Sequence, residues 1–195
     1  MSFTQCIRKT LVILISGKRC SGKDTAASIL SDMYKHKSPI IRHIGYYPKK
    51  LYSEIHHVDL QSLLHKRDFK ELHRTSIINI ATKARSTDND VWIKALYDDC
   101  LYKGTSNSCI IIPDYRFPNE FTFLQKFDHL NVKRIRIEAS ISTLESRNTF
   151  FDPNIDTHPS ETELTSTNSD WDLIVNNDEN VAMLSRKLSH VPILF

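Results

Sequence analysis

Leu11-Val12-Ile13-Leu14-Ile15-Ser16-Gly17-Lys18-Arg19-Cys20-Ser21-Gly22-Lys23-Asp24-Thr25 is the most informative stretch of the chain. Five consecutive apolar residues, too few for a helix, run directly into Gly-x4-Gly-Lys. Ala26, Ala27, Ile29, Leu30 and Met33 follow at helical spacing. That pattern predicts a strand, a phosphate-binding loop and a helix. Gly17 and Gly22 reach backbone angles closed to other residues, so successive N–H groups can turn inward around an anion. The helix N-terminus adds partial positive charge, and Lys23 stands where its amine reaches the β- and γ-phosphates of a nucleotide. The whole chain holds four glycines, and two of them fall at the spacing this loop requires. Lys23 is usually followed by a Ser or Thr whose hydroxyl ligates Mg²⁺. Here Asp24 holds that position and Thr25 the next. A carboxylate is also a hard oxygen ligand, so Mg²⁺ dependence is expected, with Asp24 as a candidate ligand.

At 195 residues the chain is expected to form a single domain, with a core over 8–47 and 104–190, a helical acceptor-binding region over about 48–103 and a lid over about 144–163. A net charge of +3 is too weak to argue for nucleic acid, and anionic small substrates account for it equally well. Cys6, Cys20, Cys100 and Cys109 lack the C-x-x-C spacing of a zinc or redox site and read as free thiols in a reducing compartment. The apolar run at 11–15 is too short to span a membrane. The C-terminal Ile193-Leu194-Phe195 carries no peroxisomal or retention signal. These features point to a cytoplasmic monomer with no membrane partner.

After the first helix, Ser38-Pro39 ends the pattern and Ile40–Ile44 reads as a short strand. Gly45–Pro48 reads as a turn. Leu60 to Tyr102 is helical and basic, with Lys66, Arg67, Lys70, Arg74, Lys83 and Arg85 interleaved and Asp88-Asn89-Asp90 as a capping cluster. Cys109-Ile110-Ile111-Ile112 is a second buried-type strand, closed by Pro113-Asp114-Tyr115-Arg116. Ligands bind beyond the carboxyl ends of parallel strands, and an Asp in that position helps hold Mg²⁺ in phosphate-loop enzymes. A strand over Val132–Glu138 places Arg136 near its carboxyl end. Leu144 to Glu163 is polar and aperiodic, a loop long enough to be functional, in which Arg147 would close over phosphates. Trp171–Val175 is the last strand, Asn176-Asn177-Asp178 a turn and cap, and a helix runs to about Leu188. Alternating strands and helices predict a mostly parallel sheet in a three-layer α/β/α phosphate-loop kinase fold, with a helical substrate-binding insert and a lid loop.

No Asn-Lys-x-Asp base-reading motif is present, so a GTPase-type switch is disfavoured. Several arginines stand away from the loop and suit a small-molecule kinase, whose work is to hold two anionic substrates in line and neutralise their charge.

Gly17-Lys18-Arg19-Cys20-Ser21-Gly22-Lys23-Asp24 resembles the Gly-Lys-Arg-x-Ser-Gly-Lys-Asp loop of the animal-type phosphomevalonate kinase family. Phe69-Lys70-Glu71-Leu72-His73-Arg74 is similar to that family's Tyr-Lys-Glu-x-x-Arg. Lys83 and Arg85 stand before Asp88 and Trp92 as its Lys-Arg pair stands before Asp and Phe. Asp114-Tyr115-Arg116 resembles its Ser-Asp-x-Arg-Arg. Arg147, Phe150, Asp152 and Asp156 resemble its lid, and Ser160-Glu161 falls on its Ser-Glu. The resemblance implies an ATP-dependent phosphotransferase that converts 5-phosphomevalonate to 5-diphosphomevalonate in isoprenoid synthesis. It implies Lys18, Lys23 and Arg116 as catalytic groups, and Gly17 to Thr25, with Arg136 and Arg147, as the ATP site. Arg42, Lys70, Arg74, Arg85, Asp114 and Arg116 would hold the acceptor, and Asp24 and Asp114 the Mg²⁺.

Two departures keep other readings open. The family's second Arg is here Phe117, and its Asp-Asp-x-x-Ser-Glu-Cys is Asp156-Thr157-His158-Pro159-Ser160-Glu161-Thr162. Asp114 to Glu120 and His158 to Glu161 also resemble viral deoxynucleoside monophosphate kinases. One alternative is therefore a nucleoside monophosphate acceptor. The other is a catalytically degenerate nucleotide-binding module.

Overall fold

The protein is described by a computed structural model covering residues 9–101, 108–147, 151–164 and 170–191. Cys6, Tyr102, Phe150 and Ile193-Leu194-Phe195, singled out above, lie outside these residues. In chain order the elements are β1 (Thr10–Ser16), α1 (Lys23–Met33), β2 (Ile40–Ile41), α2 (Tyr46–His56), α3 (Leu60–His65), α4 (Arg67–Thr87), α5 (Val91–Cys100) and β3 (Cys109–Ile112). They continue with α6 (Pro118–Leu124), β4 (Leu130–Glu138), α7 (Ile141–Ser146), α8 (Pro153–Asp156), α9 (Pro159–Thr162), β5 (Leu173–Asn176) and α10 (Val181–Leu188). Two compact units result, Met1–Ile41 with Ser106–Phe195, and Arg42–Thr105.

The first unit holds a five-stranded sheet in the order β2-β3-β1-β4-β5, with every pairing parallel. A central parallel strand is covered on both faces, which is why Leu11 to Ile15 are all buried. Leu11, Ile13 and Ile15 pack with Ala26, Ala27 and Leu30 of α1 and Leu184 and Leu188 of α10. Val12 and Leu14 point the opposite way and are equally buried, and α6, with its fully buried Leu124, packs against β4. The three-layer α/β/α arrangement follows. All five anticipated strands are present, although β2 stops at Ile41 and leaves Arg42 exposed.

The second unit is helical. Tyr52, Leu63 and Ile77 form its core, with Val58, Phe69 and Ile80 packed around them. Polar clasps join its helices: Tyr47 Oη donates to Asp99 at 3.0 Å, Tyr52 Oη meets His73 Nδ1 at 2.8 Å, and Trp92 Nε1 donates to the Ala81 carbonyl at 3.2 Å.

Three local expectations are corrected. Gly45–Pro48 is not a free turn, because Gly45 caps α2 and Pro48 sits in its first turn, where no N–H is needed. The described part of the 144–163 segment is not wholly irregular, since Pro153 and Pro159 each open a one-turn helix. Asp178 does not cap the last helix; Asn180 does, accepting from Met183 N at 3.0 Å. No helix of the described residues is long and apolar enough to cross a membrane.

Candidate active site

The site grows from the end of β1. Gly17 (φ +155°), Cys20 (φ +61°) and Gly22 (φ +100°) all lie at positive φ, which bends residues 17–22 into a nest of inward amides. A side chain at Gly17 would run into the Ile137 carbonyl and Ser21 Oγ, and one at Gly22 into the Asn177 amide. Sequence spacing therefore found both glycines, and packing explains why each must lack a side chain. Ser21 is buried and its Oγ has no hydrogen-bond partner, an orphaned donor inside the loop.

Lys23 opens α1 and folds back over the loop. Its Nζ donates to the carbonyls of Gly17 and Lys18, both at 2.6 Å. Burial, then the positive charge of Arg116, lowers its pKa to about 8; Glu161 and Asp24 oppose that shift and Arg136 adds to it. These causes place Arg116, Arg136, Glu161 and Asp24 within electrostatic reach of one amine. Lys18 itself points to solvent.

Each cation is positioned by its own strand end. Residues 113–116 dock on β1 through Tyr115 N, which donates to the Ile15 carbonyl at 3.2 Å. The buried Glu120 fixes the turn by accepting from Arg116 N at 2.9 Å and Phe117 N at 3.2 Å. The cap of α6 is thus supplied by Glu120. Arg116 Nη1 donates to the Ser160 carbonyl at 2.8 Å and to Glu161 Oε1. Arg136 pairs in register with Ser16, is 6% exposed, and donates to Ser16 Oγ at 3.1 Å. Burial lowers its pKa, with Glu138 opposing.

Arg147 stands at the C-cap of α7. It donates to the Cys20 carbonyl at 3.1 Å and to the Asn177 carbonyl at 2.8 Å. Arg19 pairs with Asp156 of α8 at 3.0 Å. The 152–163 segment is thereby tied to the loop region twice, through Arg19–Asp156 and Arg116–Glu161.

Beside the loop lies a cavity of about 310 Å³, bordered by Lys23, Asp24, Thr25, Arg147, Asn177, Val181 and Leu184. Its polar end is the loop and its apolar end is α10, the mixed lining of a nucleotide-sized pocket.

Sequence reasoning missed Asn177 and assigned Glu161 no role. Asn177 is buried at the carboxyl end of β5 and donates through Nδ2 to the Ser21 carbonyl at 2.8 Å. Its place just past a strand end was the available signal, and the capping reading hid it. Glu161 lies in a polar segment whose partner, Arg116, is 45 residues away.

The remaining predicted residues belong to the helical unit. Lys70, Arg74 and Arg85 are half-buried and share the stripe of α4 that carries the buried Ile77 and Ala81. Arg74 is held in a fork by Glu71, with contacts of 2.5 and 2.6 Å. Arg42 is exposed at that unit's first residue. Lys83 is exposed, the solvated-face alternative.

Among the described residues no group of three or more His, Cys, Asp or Glu gathers as a metal cage. Mg²⁺ does not need one, since it takes one or two carboxylates and completes its shell with water and phosphate oxygens. Asp24 lies in the first turn of α1, and Asp114 in the turn that docks on β1.

Residues 15–130 match the sequence model of the phosphomevalonate kinase family. Over 171 residues the chain is 27% identical to the phosphomevalonate kinase of Drosophila melanogaster, spanning 87% of this chain and 89% of the fly protein. Among solved structures, TT1252 from Thermus thermophilus aligns with a TM-score of 0.53 at 13% identity, over 94% of this chain and 96% of that one. A sugar kinase from Janibacter sp. aligns with a TM-score of 0.50 at 16% identity, over 94% of each chain. At those identities the structural likeness speaks for the fold alone.

Proposed function

The chain belongs to the phosphomevalonate kinase family, and from that premise we propose that it transfers the γ-phosphoryl group of ATP to (R)-5-phosphomevalonate, giving ADP and 5-diphosphomevalonate. The observation that carries this reading is the gathering of Lys23, Arg116 and Arg136 at the mouth of the loop, with the Lys23 amine depressed to about 8 by burial and by Arg116. Three cations crowded around one turn repel each other until polyanions arrive. Two phosphate-bearing substrates meeting there relieve that repulsion.

In this reading the loop amides and Lys18, Arg19 and Lys23 hold the ATP phosphates, and the cavity between Thr25, Arg147 and α10 takes the nucleoside. Arg116 meets the acceptor phosphate. Lys70, Arg74, Arg85 and Arg42 supply the remaining anion contacts. The acceptor oxygen is already ionised, so no protein base is needed, and the residues act by alignment and charge neutralisation. Asp24 and Asp114 would hold Mg²⁺, which supplies charge shielding of the transferred group when bound. Cys20, Cys100 and Cys109 are free thiols, in keeping with work as a monomer in a reducing cytoplasm.

A coupled ADP-release assay tests the reading. Turnover with phosphomevalonate, and at least a hundredfold less with any deoxynucleoside monophosphate, is the expected result. The opposite preference would make Phe117, which replaces a second arginine, the mark of a nucleotide acceptor. ATP binding without turnover of any acceptor would leave only a nucleotide-binding module.

A further inference from the structure

Glu161 is a buried acid held against the cations of the site. Its side chain is 6% exposed. Oε1 accepts from Arg116, and Oε2 is buried with no hydrogen-bond partner. Its charge is felt by both Lys23 and Arg136, so the bare oxygen lies within the group of side chains that would surround the acceptor phosphate. A buried carboxylate oxygen without a donor is costly, and such an atom in a site signals a donor supplied by the ligand. Arg116 does not satisfy it, because the guanidinium meets Oε1 through Nη1 and forms no fork across both oxygens. Arg116 instead spends its second contact on the Ser160 carbonyl.

The chemistry of the donor follows from the surroundings. An ionised carboxylate only accepts hydrogen bonds. A dication at Oε2 would face Lys23, Arg116 and Arg136 at close quarters. A neutral hydroxyl brings no charge into that crowd. Phosphomevalonate carries two anionic groups, a carboxylate and a phosphate ionised above about pH 6, and one hydroxyl, on C3. That hydroxyl is its single hydrogen-bond donor.

The geometry points to Glu161 as the specificity-determining residue of the acceptor site: Oε2 receives the acceptor's hydroxyl while Oε1 holds Arg116 on its phosphate. This rests on the acceptor proposed above. A site built to hydrogen-bond a hydroxyl rejects the analogue that lacks it, because the protein group is then left buried and unpaired. Glu161 thereby separates hydroxylated acceptor phosphates from deoxygenated ones, a choice the surrounding cations cannot make.

The test compares phosphomevalonate with its 3-deoxy analogue in the wild type and in Glu161→Gln and Glu161→Ala. In the wild type, kcat/KM for the deoxy analogue should be lower by about tenfold to a hundredfold. In Glu161→Ala the two substrates should differ by less than about threefold, a non-additive cycle, with the KM for ATP unchanged. Glu161→Gln, which keeps the volume and a carbonyl oxygen, should fall between them and guards against loss of folding in the alanine variant. A wild type that treats the two acceptors alike overturns the inference on the unmodified protein. So does a discrimination ratio that survives in both variants while the Mg²⁺ requirement shifts, which would place a metal-bound water at Oε2. A wild type active only on a nucleoside monophosphate overturns the acceptor assignment and this inference together, whereas intact phosphomevalonate turnover without hydroxyl discrimination overturns this inference alone.

Discussion

The turn at 17–23 and the strap at 152–163 border the same lysine and are held by different forces. The turn is built from main chain. Its shape comes from three residues at positive φ, and its contacts are backbone carbonyls receiving Lys23, Arg147 and the Asn177 amide. The strap is held through side chains, Asp156 on Arg19 and Glu161 on Arg116. Main-chain geometry cannot be given up without breaking the strand–helix joint. Side-chain ion pairs at partly exposed positions are worth about 0.2–1 kcal/mol and exchange partners readily. The turn is therefore the fixed half of the site, and the exchangeable contact of the strap is the partly exposed Arg19–Asp156 pair, where an arriving phosphate would replace the carboxylate while the buried Glu161 stays on Arg116.

That contrast is open to measurement. Lys23→Ala removes the amine proposed above to grip the transferred phosphates and should lower kcat by about a thousandfold, the upper range for one preorganised charge; a kcat within tenfold of wild type would show that the turn is only a binding surface. Gly22→Ala combines a strained φ with a clash on Asn177 and should weaken ATP binding by about tenfold to a hundredfold and lower Tm, read by calorimetry and thermal melts. An unaffected variant would mean that the turn, too, is adaptable.

A third effect is graded with pH. In the free enzyme Lys23 loses its proton near pH 8 rather than 10.5. Its neutral form has no charge to offer phosphate, so kcat/KM for ATP should be flat below about pH 8 and fall about tenfold per unit above it. The decline should be absent in Lys23→Arg, whose side chain stays charged throughout. The smallest effect belongs to the strap. Asp156→Asn frees Arg19 from its competitor and should tighten ATP binding by about twofold to fivefold, with little change in Tm. Weaker binding in that variant would show that the strap helps form the nucleotide site.

The difference between the two regions also governs what the sequence disclosed. Residues 11–25 carry their own geometry, because an apolar run, two spaced glycines and a following lysine constrain each other locally. The strands were legible as short segments rich in apolar residues, β4 as an alternation of Val132, Ile135 and Ile137 with cations. The positions of Arg136 and Asp114 at strand carboxyl ends were legible from the runs that precede them. Glu161, Glu120 and Asn177 were not assigned, since what each does depends on partners that no local pattern names. Asn177 meets Ser21 across 156 positions, and Glu161 meets Arg116 across 45. Glu120 reads as an ordinary helix residue until its carboxylate is seen holding the Arg116 and Phe117 amides. The one-turn helices at Pro153 and Pro159 are too short for periodicity to register.

Arg136 has a second consequence. It stands in β4 between two fully buried isoleucines, opposite Ser16, where the sheet ends and the phosphate loop begins. Were β4 to slide by one position, the guanidinium would enter the layer where Ile13, Ile15, Ile135 and Ile137 pack together. A lone cation there has no compensating partner and costs several kcal/mol. The residue proposed above to meet anions would thus also penalise a misthreaded sheet.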